Sequence, residues 1–530
     1  MFTERRDPDN KPGRSCAEEL LAYVQEHRTA VLFVWIWTIL IYGAWLAQNL
    51  VTFDAEAFFD PADGQRWYDQ WYTLGRWSMV LFKDIFHVRL INPYFQITLF
   101  GLFFPASVIL WWFCFYRWNR NREFRFGLFL FSAIYISHPI WATQFSYRNQ
   151  MESITFLMCL MPIALLLLTD RTPKGRISRL ILSAVLTVIC FGGYQSFLFM
   201  YGEGVILYLL FRLYNDYSEN DRNDFWKEVL FLSAFTVVCF AAYSVISRLL
   251  CARQGLTYGT DYLYSQFHWG SYPAAENIRV IVKYLYRSLA SDGAIFNRLG
   301  MIELLAGAVL ICFHFRGRPR VGILGFLLYA ASWATPFLLL FVTASAPVYR
   351  SQFSFVLVLA FWGAVELGAL FRILFSKRVT VGGTLLAGLI LLFAIFPQLQ
   401  KNTRLLYSDY MTMYTDEVQL WTIYYQALAK GAHEGDAIVF LNGKRNYDNG
   451  SMVEKEVIGY SYFEFNGYYG GTKIIEAMRA YGMNVSPPTD EQRAFAASVA
   501  DGMSAWPDAG GIAVQDGVII VKLGWKPTGF

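Results

Sequence analysis

The sequence predicts an α-helical polytopic membrane protein with about eleven transmembrane helices and a small C-terminal α/β domain outside the membrane. Three observations predict it. Of 530 residues, 55% are hydrophobic and only 16% are charged, where a soluble domain carries about 25% charge. Apolar runs near the length of a membrane span recur until residue 398 and then stop. Lysine and arginine concentrate in short loops on one side of those runs. The formal net charge of +4 is too small to suggest nucleic acid as a partner.

In chain order, residues 1–15 are polar, contain Pro and Gly, and are expected to be disordered. Over 16–28, CAEELLAYVQEHR places Leu20, Leu21, Tyr23 and Val24 on one side at helical spacing. That pattern suits a short amphipathic helix lying on the membrane; a plain polar lead-in is the alternative. No cleavable leader is expected, because the first 28 residues are polar and the first apolar run is long enough to stay in the membrane. Spans are expected at 31–50, 92–115, 126–141, 152–169, 178–193, 196–213, 228–250, 300–315, 321–343, 352–371 and 380–398. Gly192, Gly193, Tyr194 and Gln195 split the fifth from the sixth as a tight hairpin. The expected divisions are a cytoplasmic segment at 1–30, a membrane domain at 31–398 and an outer domain at 399–530.

Orientation follows from the positive residues. With the N-terminus inside, the basic loops 117–125, 170–179, 212–227, 316–320 and 372–378 face the cytoplasm. The opposite loops 141–150, 192–195 and 344–352 hold at most one arginine each. The segment after the first span, the loop 251–299 and everything after 399 then lie outside, in a periplasm if the cell is Gram-negative. Within loop 251–299, ENIRVIVKYLYRSL reads as a helix. In the outer domain, DAIVFL (436–441) reads as a strand and KIIEAMRAYGM (473–483) as a helix ending at Gly482. GIAVQDGVIIVKLG (511–524) reads as a hairpin turned at Asp516-Gly517. The seven cysteines have no paired spacing and read as small core residues.

Residues that could carry chemistry gather where spans meet the outer face. The stretch after the first span, VTFDAEAFFDPADGQRWYDQWYTLGRW (51–77), is acidic and aromatic. Asp54 and Glu56 diverge by about 200° on a helix and share a face on a strand. One is expected to face a cavity while the other orients it or an arginine, and the sequence does not choose between them. Asp60 and Asp63 lie in DPADG, which reads as a turn, with a cation site as the alternative. Arg76 is either a phosphate ligand or a partner of Glu56. Arg350, the lone base of a short outer loop, is a candidate phosphate ligand or a snorkelling side chain. Gln144, Arg148 and Gln195 are candidate sugar or phosphate contacts. Trp77, like Trp67, Trp71, Trp141 and Trp269, is an interfacial anchor or a sugar platform. His138, Tyr147, Tyr194, Asp261 and His268 share this outer zone. Lys444 and Arg445 either face an acceptor or lie solvated. Glu203 and Glu366 are isolated acids within spans, where packing hydrogen bonds compete with an ion path.

A carboxylate, arginines and aromatics at an outer membrane surface suit a lipid-phosphate sugar donor. Its tail can lie between helices. Arginine binds the phosphate through paired bonds. One carboxylate takes the proton of the attacking hydroxyl. The outer compartment has no nucleotide sugars, so a lipid-carried donor is the available source.

Asp54-Ala55-Glu56 directly after the first span, followed by Gly75-Arg76-Trp77, resembles the first outer loop of bacterial GtrII-type O-antigen glucosyltransferases. The layout of spans with a soluble outer C-terminal domain is similar too. The resemblance implies the GT-C class of membrane glycosyltransferases, with an acid of the first outer loop catalytic. It implies undecaprenyl-phosphate glucose as donor and lipid-linked O-antigen or a similar surface polysaccharide as acceptor. It further implies a bacterial inner-membrane location and a functional link to a polyprenyl-phosphate glucose synthase and a flippase. No cofactor is expected, with a divalent metal left open. Two other readings remain: a polysaccharide polymerase or ligase working from Arg253, His268 and Arg287 in the long loop, and a lipid-oligosaccharide flippase.

Overall fold

The computed structural model describes residues 15–48, 50–119, 127–216, 222–259, 265–296, 298–374, 381–446, 448–469 and 471–524. The expected disordered stretch, apart from Ser15, and Asp261 lie outside these residues.

Helix α1, Cys16–Glu26, begins where the Ser15 side chain and Glu18 close a capping box. It buries Tyr23 against Phe113 and Tyr116. After α2 (Arg28–Leu46), the chain forms α3 (Pro61–Thr73), α4 (Trp77–Ile85), α5 (Pro93–Trp118), α6 (Gly127–Ser137), α7 (Ile140–Phe145) and α8 (Arg148–Thr169). Then come α9 (Arg176–Phe191), α10 (Ser196–Asp216), α11 (Arg222–Arg253) and α12 (Ala274–Leu289). Helices α13 (Leu299–Phe315), α14 (Pro319–Ala334), α15 (Leu338–Thr343), α16 (Phe353–Leu374) and α17 (Val381–Ala429) complete the bundle.

Among the described residues, eight of the eleven expected spans are long and apolar enough to cross a membrane. The other three are shorter for physical reasons. The span expected at 126–141 breaks at Pro139, so α6 ends at Ser137 and α7 restarts at Ile140. The break frees the Ser137 carbonyl, to which the Asn402 amide donates at 3.2 Å; the same amide reaches the His138 carbonyl at 3.0 Å, which also accepts from the Trp141 N–H. Helix α9 has 16 residues and opens with Arg176 and Arg179; α13 has 17 residues.

The bundle is apolar outside as well as inside. Ile302, Leu305, Val309 and Phe313 of α13 form an exposed stripe at helical spacing. Leu385, Leu389, Leu392 and Phe396 do the same on α17. Apolar faces of this extent suit lipid, not water. Inside, aromatics such as Trp111, Trp112, Trp141 and Phe104 fill the core. The expected hairpin between α9 and α10 forms at Gly192. A Cβ there would lie 2.4 Å from the Trp77 ring, so this close crossing needs glycine.

Helix α17 is 49 residues long and runs through position 398 without a break. Its C-terminal half carries Met413, Leu420, Ile423 and Ala427 into a second core. That core is built on a three-stranded sheet in the order β1-β3-β2: β1 is Ala437–Leu441, β2 is Ile512–Gln515 and β3 is Val518–Lys522. Strands β1 and β3 pair in parallel, and β2–β3 is the expected hairpin, turned at Asp516 and Gly517, both at positive φ. Helices α18 (Tyr462–Tyr469), α19 (Thr472–Ala480) and α20 (Asp490–Ala500) accompany the sheet. Leu50 and Phe53, from the segment after α2, belong to this second core. The first loop is therefore packed into the C-terminal unit as well as onto the bundle.

Candidate active site

The segment between α2 and α3 is shaped by local chemistry. The Ala55 N–H donates to the Thr52 carbonyl at 2.9 Å, closing a turn whose third residue is Asp54 at φ 68°. Aspartate is among the few residues that accept this left-handed conformation. A short 3-10 turn follows at Glu56–Phe59. Asp60 then caps α3, accepting from the Ala62 and Asp63 N–H groups, with Pro61 at the first helical position. DPADG is thus a helix start, not the expected free turn: Asp and Pro suit both, and the periodic residues beyond decide.

Asp54 and Glu56 sit on neither a helix nor a strand, yet they converge. Lys473, in the first turn of α19, donates to Asp54 Oδ1 at 2.7 Å and to Glu56 Oε1 at 2.5 Å. Tyr462 of α18 donates to the other Glu56 oxygen at 3.2 Å. The Glu56 side chain is 0% exposed and that of Asp54 is 19% exposed. Burial pushes the Glu56 carboxyl up, against the pull of Lys473. Burial also works against the Lys473 ammonium, but Glu56 and Asp54 outweigh it and hold the lysine above its ordinary value. Phe53 and Trp67 flank the ammonium at 4.6 and 4.9 Å.

Two further ion-pair sets join the same surfaces. Arg479 Nη1 meets Asp63 at 3.0 Å and its Nη2 pairs with Asp60. Arg66 Nη2 meets Asp63 at 2.6 Å and Glu476 at 2.8 Å. A guanidinium thus stands between Asp60 and Asp63, where the cation reading would have put a metal.

The arginines take different partners from those expected. Arg76 does not meet Glu56; its guanidinium lies over the Tyr194 ring at 4.3 Å, and among the described residues its buried Nε has no hydrogen-bond partner. Arg350 donates to Glu456 at 2.9 Å and lies over the Tyr147 ring at 4.4 Å. The Tyr349 N–H also donates to Glu456. Tyr147 lies near the charges of Arg350, Asp54 and Glu456 and near the Tyr194 phenol. The structure therefore brings Asp54, Arg76, Tyr147, Tyr194 and Arg350 around one zone, as their placement at the outer ends of the spans suggested.

The other candidates have the following surroundings. Arg148, buried at the start of α8, donates to the Trp45 carbonyl at 3.0 Å and to the Gln48 carbonyl at 2.8 Å, closing the end of α2. It also lies over the Trp45 ring at 4.6 Å. Gln195 donates to the Leu74 carbonyl and so ties the α9–α10 hairpin to the first loop. Trp77 is buried against Gly192. Gln144 is fully buried in α7, and among the described residues neither amide atom has a hydrogen-bond partner. His138 is buried and accepts from the Ile140 N–H at 3.2 Å. Lys444 is half-buried and donates to Gln419 at 2.8 Å and Asn446 at 2.9 Å. Arg445 is exposed and pairs with Glu454. Within the bundle, Glu203 accepts from Ser332 at 2.8 Å.

Sequence reasoning missed Lys473, Tyr462 and Glu456. One signal was present. Lys473, Glu476 and Arg479 recur every three residues in a segment read as a helix, which aligns them on one face.

A family model described as "Glucosyl transferase GtrII" matches residues 43–366. No curated protein and no solved structure matches the chain. The matched range includes Asp54, Glu56, Arg76 and Arg350 but stops before the C-terminal unit.

Proposed function

The chain belongs to the GtrII glucosyltransferase family, and from that premise we propose that it transfers glucose from a polyprenyl-phosphate donor to lipid-linked O-antigen or a similar surface polysaccharide, with inversion, at the periplasmic face of a bacterial inner membrane. In this reading it is a GT-C-type enzyme, its N-terminus is cytoplasmic and the C-terminal unit is periplasmic. A polyprenyl-phosphate glucose synthase and a flippase supply the donor.

The observation that carries the site assignment is the unequal exposure of the two carboxylates. A general base must reach the hydroxyl it deprotonates. Glu56 is enclosed by Lys473 and Tyr462, whereas Asp54 keeps an open side. Lys473 occupies Asp54 Oδ1, and among the described residues Oδ2 has no hydrogen bond. Asp54 is accordingly the base and Glu56 the buried anchor.

The step balances as follows. The acceptor oxygen attacks the anomeric carbon and its proton passes to Asp54. A new C–O bond forms, the bond from that carbon to the phosphate oxygen breaks, and its electron pair leaves with the polyprenyl phosphate. Arg76 is the preferred phosphate ligand, because its guanidinium meets a ring and not a carboxylate. Arg350, committed to Glu456, shapes the wall beside Tyr147.

Loss of a general base costs about 10²–10⁴-fold in rate. Asp54→Asn is expected to lower transfer of radiolabelled glucose from polyprenyl-phosphate glucose by at least about 100-fold, at unchanged membrane abundance. Full transfer by this variant would refute the base assignment.

A further inference from the structure

The family match ends at residue 366, yet the group that touches both candidate carboxylates comes from residue 473. Lysine is almost never enclosed unless paired, and the Lys473 side chain is only 6% exposed. It also sits in the first turn of α19, where the helix dipole disfavours a cation. Both local preferences are overridden by the two carboxylates it bridges. The rest of the α19 face continues the match. Along the helix the signs run plus, minus, plus through Lys473, Glu476 and Arg479. They meet Asp54 and Glu56, then Arg66, then Asp60 and Asp63. Charge complementarity of this kind fixes register.

We propose that Lys473 is a positioning residue of the transfer reaction, holding Asp54 in place from an anchor on Glu56, so that the C-terminal unit is an obligatory part of the active site. The inference rests on the reading of Asp54 as the base. Mechanically, Lys473 fixes one carboxylate oxygen and leaves the other for the acceptor hydroxyl. Electrostatically, it offsets the repulsion between two acids placed two residues apart. The charged and titratable groups facing this pair are Lys473 and Glu476 from α19, Tyr462 from α18 and Tyr147 beside Arg350 and Glu456. Glu476 is pushed up to about 7, first by burial and then by Glu56.

Lys473→Met removes the hydrogen bond that fixes Asp54 Oδ1, whereas Lys473→Arg keeps a cationic donor in reach of both carboxylates. Glu56→Gln leaves the lysine but weakens its anchor.

The test measures transfer kinetics with radiolabelled polyprenyl-phosphate glucose in membranes carrying lipid-linked O-antigen. Lys473→Met is expected to lower kcat by about 100-fold with the donor KM unchanged, the cost of a misplaced catalytic group, and Lys473→Arg to restore most of that rate. Glu476→Gln, measured alongside, is expected to keep wild-type kinetics; a kcat loss that follows Glu476 would overturn the assignment to Lys473. An unchanged kcat per folded molecule in Lys473→Met would mean a merely structural lysine and sink the proposal. Should Lys473→Met fail to accumulate, Glu56→Gln decides, and a full kcat there is equally fatal. An inactive Asp54→Asn beside a full kcat in Lys473→Met removes the role of the lysine alone. A fully active Asp54→Asn removes the base reading itself.

Discussion

The seam between the first loop and the C-terminal unit handles charge differently from the outer end of the helix bundle. In the bundle, polar side chains close gaps in the scaffold. Arg148 finishes α2, Asn402 donates to the Ser137 carbonyl freed at Pro139, and Lys83 and Glu152 neutralise each other with both side chains 0% exposed. Each is spent on a partner within the bundle. At the seam, acids and bases alternate across two surfaces, and the carboxylates range from Glu56 at 0% exposed through Asp54 at 19% to Asp60 at 29%. The lesson is that a buried polar residue near the outer face is not by itself a substrate contact. Gln144 and Arg148 are as polar and as well placed in sequence as Asp54, yet both are buried, while the Asp54 side chain is 19% exposed.

Three substitutions would break or sharpen this contrast. The largest effect is expected from Lys83→Met, which strands Glu152 in the core. Breaking a fully buried pair from one side costs about 3–5 kcal/mol, read as a lowered denaturation midpoint in detergent. The double variant Lys83→Met/Glu152→Gln should recover part of it. A midpoint unchanged in the single variant would show the pair to be solvated. Arg148→Met comes next, at about 2–3 kcal/mol, because hydrogen bonds from a charged donor to buried carbonyls are lost. Transfer per folded molecule should persist; if it falls while the midpoint holds, Arg148 belongs to the substrate site and the contrast fails. Arg479→Ala should be the mildest. Its pairs are about a third exposed, and screened pairs contribute less than about 1 kcal/mol each. The loss should shrink further in high salt, and a salt-independent loss would place Arg479 with the buried pairs.

Much of the fold was legible in the sequence because it is local. Apolar run length marked the helices, Gly192 marked the hairpin, and the Asp516-Gly517 turn marked the β2–β3 pair. Asp54 and Glu56 were legible as well, since two acids directly after a long apolar run are conspicuous. What failed was partnership. Of the two roles weighed for Arg76, the pairing with Glu56 does not form and the guanidinium covers Tyr194; Arg350, weighed as a phosphate ligand or a snorkelling side chain, has Glu456 as a partner that neither reading named.

The chain by itself determined that apolar helices dominate to residue 398, that a β-containing unit follows, and that the first loop carries the acids. Run length, periodicity and turn chemistry act over a few residues, so they can be read without the fold. Only the tertiary structure decided which acid is enclosed and which is open. That choice depends on Lys473, 417 residues from Glu56 in sequence, and on α19 docking against the loop. No local preference places a lysine there. The two carboxylates it neutralises do, and they meet it only once the C-terminal unit has packed around Leu50 and Phe53.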